Sequence, residues 1–298
     1  MPNTIPIHEL GVDVVGGRLA AFRIGAERPT APIVVAIHGI TANSRAWLAV
    51  ARALDGRANL IAPDLRGRGA CNGLPPPYGM AGHTADVLAL LDRLEVEQAV
   101  LLGHSLGAYI VADFAAAHPS RVHAAVLVDG GLRIPGSEGV DPQEFAQQLL
   151  GPALARLELT FASREDYRAW WRAHPAIAHG DVADEDLAAY ADHDLAGSEP
   201  ELHSSVAREA VRADAEDVVN ADAATHRLEV RADMLCAPRG LQDDPNPMQP
   251  IEQAEAWAAE QPRRRSALLI PGVNHYTITL GSAGAIAVAS AIAAALPA

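Results

Sequence analysis

Apolar and polar residues alternate across residues 5–26, on either side of Gly16-Gly17. A period of two around a glycine pair predicts a β-hairpin. The rhythm then changes. Ile33-Val34-Val35-Ala36-Ile37 is an unbroken apolar run after Pro32, and it reads as a central strand buried on both faces. Ser44 to Leu54 reads as a helix with Trp47 and Val50 on one apolar face. Asn59 to Asp64 is a second strand, and Met80 to Leu94 a helix with Val87, Leu88, Leu91 and Leu94 at core spacing. Ala99-Val100-Leu101-Leu102, then Ala108 to Ala117, then Ala124 to Val128 continue as strand, helix and strand. Strands alternating with helices predict an α/β fold: a right-handed, mostly parallel, doubly wound sheet covered on both faces.

After residue 131 the alternation stops. No strand pattern stands out between Arg133 and Ala207. Helical stretches replace it: Phe145 to Phe161 with a break at Gly151-Pro152, Arg164 to His174 with Trp170 and Trp171, and Asp184 to Tyr190. The expectation is a helical cap, residues 132–207, inserted into a core made of 1–131 and 208–298. The paired tryptophans read as the interior of that cap rather than as substrate contacts. The alternation resumes with a helix over Glu209–Ala223, a strand at Asp233–Ala237, a helix at Ile251–Ala259, a strand at Ser266–Ile270 and an Ala-rich final helix, Ala283–Leu296.

Composition narrows the possible roles. The chain has 298 residues, 49% of them hydrophobic, enough for a sizeable core. Its net charge is −14, and all 23 basic residues are arginine. Such an acidic chain is a poor match for nucleic acid or an anionic membrane, and no partner of either kind is expected. Two distant cysteines, Cys71 and Cys236, form neither a metal-ligand spacing nor a disulfide framework. With no apolar leader after Met1 and no apolar run long enough to span a bilayer, a cytoplasmic location is expected. The arginine and alanine bias suggests a GC-rich bacterial coding sequence. No phosphate loop, dinucleotide fingerprint or metal cluster is present, so neither cofactor nor metal is expected.

Gly103-His104-Ser105-Leu106-Gly107 lies between a strand and a helix. The G-x-S-x-G motif in that context is a sharp turn that lifts the serine hydroxyl above the sheet at the amino end of a helix. Serine is a weak nucleophile and needs a base. In this architecture the base follows the last strand, where Gly272-Val273-Asn274-His275-Tyr276 supplies His275. His104 adjoins the nucleophile but is expected to point elsewhere. The developing oxyanion needs two N–H donors, expected from Leu106 and from Ile40 in the His38-Gly39-Ile40 loop, which His38 is expected to brace. The acid that orients His275 has two possible sources. One is Asp129, after the strand that follows the nucleophile helix; the other is Asp243 or Asp244, in the loop after the next strand.

His38-Gly39, Asp64-Leu65-Arg66-Gly67-Arg68-Gly69, the Ser105 pentapeptide and Gly272-Val273-Asn274-His275 occur in an order that resembles the α/β-hydrolase superfamily over the whole chain. Most members place the acid where this chain has Gly240-Leu241-Gln242-Asp243-Asp244-Pro245. A branch similar to haloalkane dehalogenases and zearalenone lactonases takes it from the Asp129 position, and the Ala237-Pro238-Arg239-Gly240-Leu241 loop looks like that branch. Dehalogenases and epoxide hydrolases need a carboxylate nucleophile, and position 105 is serine. The resemblance implies a serine hydrolase of a small-molecule carboxylic ester or lactone, with a cap over the site. A C–C bond hydrolase, an amidase, a cofactor-free haloperoxidase and a hydrolase-like binding protein are the alternatives. Tyr109, Tyr276 and the apolar cap residues point to a moderately large apolar acyl or alcohol group.

Overall fold

The computed structural model of the chain describes residues 5–219 and 221–297. An eight-stranded sheet runs through the molecule in the order β1 (Ile7–Val14), β2 (Gly17–Ile24), β4 (Asn59–Pro63), β3 (Ile33–Ile37), β5 (Ala99–His104), β6 (Val122–Val128), β9 (Arg231–Cys236) and β10 (Arg265–Leu269). The last six are parallel; β2 runs antiparallel to β4, and β1 antiparallel to β2. The hairpin closes at Gly16-Gly17 because both residues have positive φ, which only glycine adopts cheaply. Arg66 pins the hairpin turn from below. Its guanidinium grips both Asp86 oxygens at 2.6 Å and also donates to the carbonyls of Val15 and Pro75.

Strand order explains the two covering layers. From β3 the chain moves one strand outward to β4 through α1 (Leu48–Leu54). It then crosses back over β3 to β5 through α2 (Met80–Arg93), and onward to β6 through α3 (Leu106–Ala117). Right-handed crossovers in opposite directions put their helices on opposite faces. So α1 packs with the final helix α12 (Ser282–Ala295) on one face, and α2 packs with α3 on the other. Every residue of β5 is buried, as its unbroken apolar run requires. The switch in direction falls between β3 and β5, the place where open α/β sheets bind ligands beyond their strands' carboxyl ends.

Between β6 and β9 the chain forms α4 (Pro142–Arg156), α5 (Arg164–Ala173), α6 (Pro175–Ala178), α7 (Asp184–Asp194), a two-residue hairpin of β7 (Leu195–Ala196) with β8 (His203–Ser204), α8 (Arg208–Val218) and α9 (Asp222–His226). Helix α10 (Ile251–Glu260) then precedes β10, and α11 (Thr277–Leu280) follows it. Three details differ from the sequence reading. Helix α4 runs straight through Gly151-Pro152. Proline removes one N–H, and the buried Phe145 and Leu150 in the turns before it hold the helix against α8 and the core despite that loss. The expected helix over 209–223 is two helices, ending at Val218 and restarting at Asp222. The small β7–β8 pairing was invisible because each strand is two residues long. Trp171 is buried with Tyr167, Tyr190, Phe161, Leu187 and Leu202 in a core belonging to this segment. No helix among the described residues is long and apolar enough to cross a membrane.

Candidate active site

Ser105 occupies φ +55°, ψ −121° between β5 and α3. A non-glycine residue in this region is strained and persists only where its surroundings over-determine it. Here they do. A Cβ on Gly103 would lie 2.1 Å from the Gly107 carbonyl oxygen, and one on Gly107 would lie 2.1 Å from that of Ile37. Backbone therefore touches backbone around the turn, and the Ser105 N–H donates to the Val128 carbonyl at 3.0 Å. Gly107→Ala has no side chain to push aside. It is expected to cost about 3 kcal/mol or more in urea unfolding, with soluble yield falling accordingly.

His275 lies on the loop between β10 and α11, held at both ends of its backbone. Its N–H donates to the Arg239 carbonyl at 3.0 Å, and its own carbonyl accepts from His104 Nε2 at 2.8 Å. The Nδ1 of His275 meets Asp129 Oδ2 at 2.7 Å. An ionised carboxylate only accepts, so this contact assigns the proton to Nδ1 and leaves Nε2 as the basic nitrogen. Asp129 is itself buried at φ +47°. Its Oδ1 accepts the Ala237 N–H at 3.0 Å, and its N–H donates to Leu235 at 2.7 Å. The sheet register of β6 against β9 brings these groups together.

The other two carboxylates do not reach the imidazole as partners. Asp243, at φ +60°, forms an ion pair with Arg239, its Oδ1 2.9 Å from Nε, and accepts from Asn274 Nδ2 at 2.9 Å. It fixes the residue before His275. Asp244 turns inward on its own loop, accepting the N–H groups of Gln242 and Asn246. Asn274 is a residue the sequence reading passed over. Its side chain accepts the N–H groups of Tyr276 and Thr277, so it shapes the whole His275 loop. A lone asparagine beside a histidine carries no distinctive sequence signal.

His104 points at the His275 loop rather than away from the site, and its ring lies 4.6 Å from that of His275. Burial first, then the neighbouring imidazole, hold His104 well below the usual histidine range, so it stays neutral and donates from Nε2. His38 does brace its loop. Its Nε2 accepts the Leu65 N–H at 3.0 Å and its Nδ1 donates to Gly39 at 2.8 Å, while burial lowers its pKa to about 4. The N–H groups of Ile40 and Leu106 flank Ser105, one on the loop after β3 and the other at the first residue of α3. Neither takes part in a hydrogen bond among the described residues, and both residues line one cavity with Ser105.

Ser105, His275 and Asp129 line one cavity of about 70 Å³. Its apolar lining includes Ile134, Phe145, Leu150, Val219, Leu241 and Met248. Among the described residues lining it there is no arginine. Tyr109 also lines it, but its hydroxyl is committed to the Leu132 carbonyl at 2.5 Å. Trp170 and Trp171 do not line it. No group of three or more potential metal ligands occurs among the described residues.

A strained serine turn at the switch point of this sheet shares a cavity with a carboxylate-bound imidazole. The family described as the alpha/beta hydrolase fold matches residues 32–190, more than half of the chain. The chain belongs to the α/β-hydrolase family. Lipase LipV of Mycobacterium tuberculosis is 35% identical over 134 residues, 44% of this chain and 51% of that protein. A putative carbamate hydrolase, RutD of Klebsiella pneumoniae, is 36% identical over 107 residues, 36% of this chain and 40% of its own length. The chain thus spans about a third to a half of the curated relatives it matches. Among solved structures, E-2-(acetamidomethylene)succinate hydrolase superposes with a TM-score of 0.78 at 19% identity, covering 96% of this chain and 98% of that one. That similarity extends the shared fold over nearly the full length.

Proposed function

We propose that the protein is a serine hydrolase of uncharged carboxylic esters or lactones. The observation that carries this reading is Ser105 on its strained turn, in one cavity with a His275 imidazole whose Nδ1 is bound by buried Asp129. In the proposed cycle His275 Nε2 takes the Ser105 Oγ proton as Oγ attacks the carbonyl carbon. The N–H groups of Ile40 and Leu106 receive the oxyanion. His275 then gives its proton to the leaving alkoxide, and later draws a proton from the water that releases the acid and frees Ser105. Asp129 keeps the imidazole in the required tautomer and steadies its charged form. Residues 132–207 act as the cap in this reading, and α8, just beyond them, completes the roof.

The lining favours esters over more polar substrates and sets their charge. An anionic substrate needs a cation to replace its water, and the cavity walls carry none among the described residues. The largely apolar lining suits an alkyl group. Among p-nitrophenyl esters, butyrate and hexanoate are expected to be hydrolysed at least about a hundredfold faster, by kcat/KM, than the hemisuccinate of similar length. Equal rates would remove the argument from the lining, and an amide or carbamate preferred over every ester would remove the ester assignment.

A further inference from the structure

Two buried arginines hold consecutive carbonyls of the loop that carries the Ile40 N–H. Arg68 Nε donates to the Ile40 carbonyl at 2.9 Å, and Arg156 Nη2 donates to that of Thr41 at 3.1 Å. One residue earlier, the Gly39 carbonyl accepts His38 Nδ1 at 2.8 Å and the Ala42 N–H at 3.1 Å. A trans peptide unit is rigid, with its N–H opposed to its C=O. Fixing the Gly39 carbonyl therefore fixes where the Ile40 N–H points, and fixing the next two carbonyls stops the following planes from rotating it away.

Both guanidinium charges are neutralised from the helices over the cavity. Arg68 Nη2 lies 2.6 Å from Asp214 Oδ2, both side chains wholly buried, and Asp214 belongs to α8. Asp214 is held in turn by the Gly79 N–H at 2.8 Å and His83 Nε2 at 2.9 Å. Arg156 sits at the end of α4 and pairs with Asp194 at the end of α7, whose carboxylate also takes Tyr167 and Ser204. The Arg156 guanidinium also lies 5.2 Å from the Trp171 ring. A buried arginine cannot keep its place once its carboxylate leaves. If α8 lifts, Arg68 loses Asp214; if α4 lifts, Thr41 loses its donor outright.

We propose that Arg68 and Arg156 are positioning residues that aim the Ile40 N–H into the cavity, and do so only while α4, α7 and α8 are docked over it. Closure of the roof and assembly of the oxyanion site become one event. The proposal rests on the reading of Ile40 as an oxyanion donor.

The test uses paired substitutions that remove each charge together with its partner, so that no buried charge is stranded. They are Arg68→Met with Asp214→Asn, and Arg156→Met with Asp194→Asn. Two ligands report separately. An alkyl trifluoromethyl ketone accepts Ser105 Oγ at its carbonyl carbon; the serine proton passes to His275, and the carbonyl oxygen becomes an alkoxide. The matching methyl ketone binds without that step. Each pair is expected to lower kcat for p-nitrophenyl butyrate about tenfold to a hundredfold with KM unchanged. Each should weaken the trifluoromethyl ketone by the same factor and leave the methyl ketone unaffected. A lower melting temperature with kcat and both inhibition constants at their original values overturns the proposal, as does equal weakening of both ketones. Arg68→Lys and Arg156→Lys keep the ion pairs while losing the fork that reaches the carbonyls, and they carry the same expectation if a paired variant fails to fold. If the unsubstituted protein neither hydrolyses esters nor prefers the trifluoromethyl ketone, the oxyanion reading fails and the proposal falls with it. Normal behaviour in the unsubstituted protein and in all variants sinks the positioning roles alone.

Discussion

Ser105→Ala is expected to lower kcat for p-nitrophenyl butyrate by about 10⁶-fold while leaving KM and the urea midpoint close to their original values. The substitution removes Oγ and nothing else. Alanine keeps the Cβ that packs against Gly39, and it meets the same strain at φ +55° that serine already bears. The N–H groups of Ile40 and Leu106 and the cavity walls remain, so substrate still binds. Loss of turnover with retained binding marks a group used only in the transition state. Turnover within tenfold of the original would take the serine out of the reaction.

The second large effect separates three carboxylates. Asp129→Asn is expected to lower kcat by about 10⁴-fold. Asparagine fills the same volume and can still accept the Ala237 N–H, so the buried site keeps its shape. It can also turn an amide N–H toward His275 Nδ1, which favours the tautomer with its proton on Nε2, where no base is left for Ser105. Asp243→Asn is expected to leave kcat within about twofold, since its carboxylate meets Arg239 and Asn274 rather than the imidazole. Asp244→Asn carries the same expectation, because its contacts close its own loop. Kinetics of the three variants on one substrate check the assignment, and a severe loss at Asp243 or Asp244 with Asp129→Asn active would reverse it.

The parts of this molecule that were legible in the chain are those whose geometry is local. The pentapeptide around Ser105 announces its turn because Gly103 stands where the chain folds back onto the backbone of Gly107, four residues on. The apolar runs of β3, β5 and β6 announce strands buried on both faces, and their alternation with helices dictates the parallel sheet. His275 was legible because it follows the last such run. Asp129 was one of three carboxylates on two loops, and local pattern does not rank them. Its contact with His275 spans 146 positions and depends on sheet register and a left-handed backbone. Arg68 and Arg156 were harder still. An arginine reads as surface charge, and nothing near Arg156 in the chain reveals that Asp194, 38 positions on, removes it from water. The continuity of α4 through Pro152 belongs with these, since packing against α8 overrode a local breaking signal.

The two cysteines have a practical corollary. Cys71 and Cys236 are buried and unpaired, and burial pushes both thiols up to about 12. At neutral pH about one such group in 10⁵ is ionised, and the chain has no lysine at all. Maleimides find no ready thiolate in the native protein, and amine-directed esters find no side chain to acylate. Adduct mass from an electrophilic phosphonate can therefore be read against an almost silent background, and a single cysteine introduced at an exposed point such as Glu158 would carry a fluorophore to that point alone.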